Sequence, residues 1–357
     1  MASTWGRHFR VTTFGESHGA AVGVVVDGLP AGLKIDPADI QRDLDRRRPG
    51  QSQFTSPRAE PDAVQVLSGL AGGRSLGSPI ALVVTNRDVR SGDYAALSEL
   101  FRPGHADYTF YQKYGLPPQP GGGRSSGRET VGRVAAGALA RLLLAPLGVA
   151  ISAVTVQVGA VKAAQVDLAY AAGDPLRCAD PEAAPAMAAA IAEARAAGDS
   201  VGGVIELRAI GVPAGLGEPV FDKLDAVLGM AMLSIGGVKG VEIGDGFAVA
   251  GRRGSANNDQ MDGDGFLSNH AGGILGGIST GQEIVVRLAI KPTPSIALEQ
   301  QTQDLWGRAR AIAIKGRHDP CLCPRVAPVA EAMAALVLAD AWLAQRAATG
   351  GEPLNLG

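Results

Sequence analysis

The chain is 357 residues long, 46% hydrophobic and 4% aromatic, with a formal net charge of −2. That supplies ample apolar material for a large core and excludes a general polyanion binder, so its arginines are a local resource. The three cysteines (Cys178, Cys321, Cys323) form no disulfide framework and, with one C-L-C spacing and no second pair, no zinc site, which points to a reducing cytoplasm.

The first nineteen residues hold no apolar run, so no signal peptide is expected. GESHG (15–19) matches the hydrolase elbow G-x-S-x-G in letters. It has only about one strand before it, and residues 22–26 after it read as a strand, so a serine nucleophile is not expected. The turn GLPAGL (28–33) follows, then a helix with Asp36 as N-cap, Pro37 at its first position and Ile40 and Leu44 on its apolar side. The block RRRPGQS (46–52) comes next. Arginines at a helix C-terminus suit the dipole, but with P-G-Q-S behind them they read better as a phosphate or carboxylate clamp. GGRSLGSPIALVV (72–84) carries a further strand-like run.

Residues 102–133, RPGHADYTFYQKYGLPPQPGGGRSSGRETVGR, show no helical or strand period until their end. Tyr108, Phe110, Tyr111 and Tyr114 supply anchors that a disordered segment lacks, and glycine costs ordering entropy, so an anionic ligand is the expected reason for this composition. Arg124, Ser125, Ser126 and Arg128 stand just before an apolar run, 131–144, that reads as a buried helix. Guanidinium groups, hydroxyls and free N–H groups at a helix N-terminus make an anion site.

The most apolar window, 142–161, is broken by Pro146 and Gly148 and interrupted by Ser152, Thr155 and Gln157. It reads as a helix end, a turn and a strand, and no membrane span is expected. A helix is expected at 183–197 and a strand at 204–210. The turn GVPAGL (211–216) leads to a helix from about 219 to 233, with Phe221, Leu224, Val227 and Leu228 on one face. GGISTGQEIVVRL (276–288) and KGRHDPC (315–321) precede a last helix, 328–348, whose apolar face is Ala332, Leu336, Leu338 and Trp342. Residues 351–357 read as a loose tail.

GLPAGL echoes in GVPAGL, and GGRSLGSPIALVV in GGISTGQEIVVRL, at different offsets. The expected fold is α+β: one domain over 1–350, duplicated into pseudo-repeats of about 10–145 and 199–345. Two largely antiparallel sheets surround central helices, the second copy carries an insertion, and the site lies where the halves meet. Four of the five histidines (His18, His105, His270, His318) sit in polar blocks, which favours chemistry over packing. No G-x-G-x-x-G after a strand, G-x-x-x-x-G-K-[ST] or H-E-x-x-H occurs, so neither a Rossmann site nor a P-loop is indicated. The low aromatic content and negative net charge speak against an RNA-binding face at Arg46, Arg47 and Arg48.

Nine blocks then run in order from residue 15 to 321: GESHG, RRRPGQS, RPGHADYT, GGGRSSGRET-x-x-RVAAGA, GDSVGG, VKGVEIGDGF, SNHAGGILGGISTG, KPTPS and GRHDPC. Together they resemble the chorismate synthase family over essentially the whole chain. The resemblance implies a soluble, cytoplasmic lyase of the shikimate pathway, usually a homotetramer with a β-α-β sandwich fold. It implies conversion of 5-enolpyruvylshikimate 3-phosphate to chorismate and phosphate by a 1,4-anti elimination that requires reduced FMN without net redox change.

By the same resemblance, Arg47 and Arg128, with Arg48 and Gln53, hold the substrate's anions. Ser17 and His18 stand beside the departing phosphate, His18 as its acid. His105 is a cation at the flavin N1–C2 edge, and Asp319 keeps N5 ready as a base. The cofactor would be bound by Arg124, Ser125, Ser126, Gly236, Gly237, Gly276, Lys291, Pro292, Thr293, Pro294, Ser295 and Arg317. The sequence departs from the family pattern at three places. Gln53 replaces the usual arginine, with Arg58 placed to compensate. Ser234-Ile235-Gly236-Gly237 leaves only backbone contacts, and Pro294 removes a hydroxyl and a backbone donor. No nicotinamide motif is present, so reduced FMN is expected from an external flavin reductase or NADPH source. A non-catalytic flavin or phosphate-binding protein is the alternative; it would need the arginines but neither His18 nor Asp319.

Overall fold

Alternation with period two decides the sheets. Val22, Val24 and Val26 are buried, as are Ile80, Leu82 and Val84, Ile205, Leu207 and Ala209, and Ile284, Val286, Leu288 and Ile290. Each of these runs therefore presents one face to a core. The structure, a computed structural model, describes residues 3–52, 54–56, 60–87, 98–314, 316 and 318–350.

The first sheet contains Thr4–Trp5 (β1), Arg10–Phe14 (β2), Ala21–Asp27 (β3), Val64–Val66 (β4) and Ile80–Thr85 (β5), in the order β1-β2-β3-β5-β4. The second contains Ala150–Val158 (β6), Val161–Lys162 (β7), Gly203–Ile210 (β8), Val238–Ile243 (β9) and Ile284–Ile290 (β10), in the order β9-β10-β8-β6-β7. All neighbouring strands in both are antiparallel. The order β2-β3-β5-β4 in one sheet matches β6-β8-β10-β9 in the other. GLPAGL leaves β3 and GVPAGL leaves β8. Where residues 67–79 join β4 to β5, the longer stretch 244–283 joins β9 to β10.

The helices are Pro37–Arg47 (α1), Asp107–Tyr114 (α2), Thr130–Leu144 (α3), Ala184–Ala196 (α4), Leu224–Leu233 (α5) and Cys323–Ala348 (α6), with some shorter turns. Among them, α3 packs on β3 and on α6, while α6 packs on β6 and β8. The α3–α6 crossing is close because α3 offers no side chain there: a Cβ on Gly137 would stand 2.4 Å from that of Ala332. Gly127–Leu147 and Cys323–Ala348 are long and apolar enough to cross a membrane by length and composition, and both are largely buried. Glu331 of α6 ties the layers together. It is 1% exposed and accepts from Arg46 of α1 at 2.9 Å, from Arg141 of α3 and from the Ala153 N–H of β6 at 2.9 Å.

Most expected elements appear, with three corrections. Asp36 caps α1, accepting from the Ala38 N–H at 2.9 Å. Residues 107–114, expected to be aperiodic, form α2, a short helix closed by Gly115 at φ 68°. Its aromatic residues do not face one core, so no helical period showed. The helix expected from about 219 begins at Leu224, and Phe221, expected on its apolar face, is 94% exposed. The last helix starts at Cys323 rather than 328: Pro324 occupies the first turn, where its missing N–H costs nothing, and Pro328 lies inside the helix.

Candidate active site

One cavity of about 1560 Å³ is lined by residues from the N-terminal and the C-terminal halves of the chain. From the first half come the end of β2, α2, the turn at 121–128 and the start of α3. The second half supplies the end of α5, residues 234–239, 291 and 293–295, and the start of α6. Pockets for one small ligand measure about 300–1,000 Å³, so this volume suits two ligands side by side. Its mouth carries apolar surface from Phe14, Phe110, Tyr114, Leu116, Met230 and Leu233.

The three successive arginines separate because helical neighbours point about 100° apart. Arg46 turns to Glu331, Arg47 faces the cavity, and Arg48 is half-exposed beside Asp45 at 3.7 Å. Arg48 is therefore not brought into the site. Arg47, 1% exposed, donates through Nη2 to Asp62 Oδ2 at 2.6 Å and through Nη1 to the Gly127 carbonyl and Thr130 Oγ1, both at 3.2 Å. Arg128 takes Asp62 Oδ1 and donates through Nε to Asn86 Oδ1 at 2.8 Å. Asp62 thus sits between two guanidinium groups, fully buried, at φ 47°. Burial pulls Arg47 down to about 10 against the attraction of Asp62, which leaves it charged at neutral pH. Burial opposes the Asp62 charge, but Arg47 and Arg128 outweigh it and hold the carboxyl below its usual range. Arg47 Nε and Arg128 Nη2 are buried with no hydrogen-bond partner among the described residues, and both arginines line the cavity. Arg128 Nη2 stands 3.8 Å from Glu60 Oε2, an ion pair too long for a hydrogen bond, so both donors keep capacity for an acceptor from a ligand.

The triple glycine builds the adjoining wall. Gly121 and Gly122 adopt φ 63° and 86°. A Cβ on Gly121 would stand 2.2 Å from the His18 ring, and one on Gly122 3.0 Å from His105 Cε1. Ser17 and His18 therefore lie behind this turn rather than among the cavity-lining residues. Ser17 is 1% exposed, its N–H donates to the Gly123 carbonyl at 3.3 Å, and its Oγ is 3.1 Å from His18 Nδ1. Arg124, Ser125 and Ser126 do line the cavity but are partly engaged. Arg124 donates to Thr13 Oγ1 at 2.7 Å and the Gly15 carbonyl at 3.1 Å, Ser125 Oγ to the Gly122 carbonyl at 2.7 Å, and Ser126 Oγ accepts from the Arg128 N–H.

His105 also faces the cavity, with Nδ1 2.8 Å from Asp107 Oδ1. Lys291 reaches across to the Gly104 carbonyl, joining the halves, and its pKa is lowered by burial and by Lys239. Gly236, Gly237, Thr293, Pro294, Ser295 and Asp319 line the cavity as well. Thr293 Oγ1 donates to the Asp319 carbonyl at 2.7 Å. Asp319 itself accepts from the Ser56 N–H at 2.7 Å and from Arg325 Nη1 at 2.6 Å.

Two expected cofactor residues lie elsewhere. Gly276 sits in the exposed hairpin turn between Ile274–Leu275 and Ile278–Ser279, and Pro292 packs near Gly202 outside the cavity lining. Gln53, Arg58, Arg317 and the tail 351–357 lie outside the described residues. His318 lines the cavity, whereas His270, grouped with it by sequence, pairs with Asp245 at 2.6 Å away from the cavity lining. Sequence reasoning missed Asp62, Asp107 and Arg325. Asp107 stood inside RPGHADYT, but Asp62 and Arg325 belong to no motif and are found only through their partners.

Convergent arginines with unspent donors, histidine and a cavity sized for two ligands define an enzyme acting on anionic small molecules. Residues 9–343 match the family model described as chorismate synthase. The chain is 57% identical to the chorismate synthase of Syntrophobacter fumaroxidans over 338 residues, 95% of this chain and 96% of the relative. It is 54% identical to that of Porphyromonas gingivalis over 354 residues, 96% of each. A crystal structure of chorismate synthase superposes with a TM-score of 0.73 at 32% identity, covering 96% of this chain and 93% of the other. The chain belongs to the chorismate synthase family and is a chorismate-forming lyase of aromatic amino acid biosynthesis.

Proposed function

We propose that the cavity holds 5-enolpyruvylshikimate 3-phosphate against reduced FMN and drives a 1,4-anti loss of phosphate and a ring proton. The observation that carries this reading is the pair of orphaned donors, Arg47 Nε and Arg128 Nη2, in a cavity with room for two ligands. The cofactor fits what is present: cationic groups at Lys239 and Lys291, a helix start at α3, and apolar surface for a ring system. When bound, reduced FMN supplies electron density for C–O cleavage and a site for the ring proton.

The chain's own residues do the rest. Arg47 and Arg128 hold the substrate's anions, each charge-assisted contact contributing about 1.5–3 kcal/mol. His18, oriented by Ser17, protonates the departing phosphate, a contribution of about 10²–10⁴ in rate; this requires the Gly121–Gly122 turn to open. His105 would face the bound cofactor and stabilise its reduced form when protonated, and Asp319 would keep the cofactor's N5 ready as a base. Arg124, Ser125, Ser126, Lys291, Thr293, Ser295 and Arg317 bind the cofactor. Gln53 adds a neutral substrate contact.

The matched strand orders of the two sheets support a duplicated β-α-β sandwich with pseudo-repeats of about 10–145 and 199–345. A homotetramer would bury the exposed Phe221, Phe247, Met261 and Leu267. We place the enzyme in the cytoplasm, with reduced FMN drawn from an external flavin reductase or NADPH source and no nucleic-acid or membrane partner. Titrating substrate into the FMN-loaded chain tests the shared cavity. The expected result is a shift in the flavin's visible absorption and slower FMN release. An unchanged spectrum and release rate would place the two ligands apart.

A further inference from the structure

His105 does not stand alone. The Asp107 carboxylate beside it accepts from Arg102 three times, from the backbone N–H at 3.2 Å, Nε at 2.7 Å and Nη2 at 2.8 Å. Asp107 and Arg102 are 4% and 6% exposed. Burial opposes the Asp107 charge, yet the hydrogen bonds from Arg102 and His105 outweigh it and hold the carboxyl well below its usual range. An ionised carboxylate only accepts, so the 2.8 Å contact to His105 Nδ1 makes that nitrogen the donor. Arg102 Nη2 also lies 3.1 Å from Nδ1, but a guanidinium has no lone pair to offer, and an Nδ1 that carries hydrogen cannot accept. That second contact is proximity. The remaining nitrogen, Nε2, is then a lone pair in the neutral ring and a second N–H in the charged one.

The other edge of the ring is kept clear. A Cβ on Gly122 would come within 3.2 Å of Nε2 and 3.0 Å of Cε1, so any side chain at 122 would cover the only nitrogen left to act. We infer that Asp107, clamped by Arg102, is a positioning residue that fixes His105 as its Nδ1–H form and presents Nε2 to the ligands of the cavity. The inference rests on the reading of His105 as a working residue of this site. At metal-binding histidines, carboxylate partners of this kind set ring orientation and proton placement, and their loss typically costs about 10–100-fold.

Nitrogen-15 NMR of the His105 ring in the flavin-free chain tests the assignment directly. Hydrogen on Nδ1 and a lone pair on Nε2 are expected in the neutral ring, and Asp107→Asn should let the Nε2–H form appear. Turnover of Asp107→Asn should fall about 10–100-fold, with the double variant H105A/D107N no slower than His105→Ala alone. A neutral parent ring with its hydrogen on Nε2 and a lone pair on Nδ1 overturns the proposal. So does a D107N ring with an unchanged tautomer, full turnover in D107N, or losses in the double variant that multiply. If D107N fails to fold, the parent spectrum still decides for or against. Parental turnover in His105→Ala would instead refute the working role of His105 and leave the tautomer assignment standing.

Discussion

Asp319 and Arg325 form an ion pair at 2.6 Å at the entrance to α6, and the second Asp319 oxygen is taken by the Ser56 N–H at 2.7 Å. The carboxylate expected to serve the cofactor is thus held in one direction by two donors. Asp319→Asn keeps an acceptor for Ser56 but removes the charge opposite Arg325. It should retain FMN and substrate binding, lower the Tm by a few degrees, as about 1–2 kcal/mol would, and lose most turnover. The loss should fall in the proton-removal half, so the deuterium isotope effect on the departing ring hydrogen should grow. Full activity would make Asp319 a structural ligand of Arg325.

Two buried carboxylates separate stability from binding. Glu331 and Asp62 each sit among arginines, but only the arginines around Asp62 line the cavity. Removing either leaves uncompensated buried charge, so Glu331→Ala and Asp62→Ala should each cost about 3–5 kcal/mol in urea unfolding. Glu331→Ala should leave the KM for substrate unchanged at temperatures where it is folded, while Asp62→Ala should change it. Equal KM effects would show that the Asp62 network is scaffolding alone.

Acid should weaken the fold in a defined direction. Asp62, Asp107 and Glu331 all titrate below their usual values, because the arginines (and His105 at Asp107) outweigh the burial that opposes their charge. Their stabilisation is present above the unfolded values of about 4 and is lost as pH falls from there through the lowered folded values, since the unfolded chain binds more protons over that range. Urea midpoints should therefore hold level from pH 7 to about pH 5 and drop as the pH is lowered from there toward pH 2. A flat profile would contradict the ionised networks.

Much of this was legible in the sequence, for reasons that differ by element. The strands showed because β3, β5, β8 and β10 each bury every second residue, and α1 because Asp36 and Pro37 mark its start. Helix α2 did not show, since its aromatic residues spread around a short helix instead of facing one core. The arginine cluster was visible as RRRPGQS and GGGRSSGRET, but not the division of labour within it: the 100° step sends Arg46 to Glu331 and Arg47 to Asp62. Nor could spacing reveal that Gly121, in the cavity wall, lies against the His18 ring. That depends on chain segments about one hundred residues apart in sequence meeting in space.

The glycine turn can be tested against a control. Gly121 and Gly115 share a left-handed φ, but a Cβ at 121 meets the His18 ring at 2.2 Å whereas one at 115 meets nothing within 4 Å. Gly115→Ala should cost only backbone strain, about 1–2 kcal/mol. Gly121→Ala should cost more and lower turnover about tenfold or further by displacing His18. Equal behaviour of the two would mean the turn's contact with His18 carries no function.

The proposed function requires reduced FMN to act with this chain's arginines and histidines on 5-enolpyruvylshikimate 3-phosphate. The most direct measurement is anaerobic chorismate formation by flavin-free enzyme, given substrate with no flavin, with oxidised FMN, or with chemically reduced FMN. Chorismate and phosphate should appear in equal amounts only with reduced FMN, and NADPH without a flavin reductase should not replace the chemical reductant. Sustained chorismate formation by the flavin-free enzyme would contradict the account.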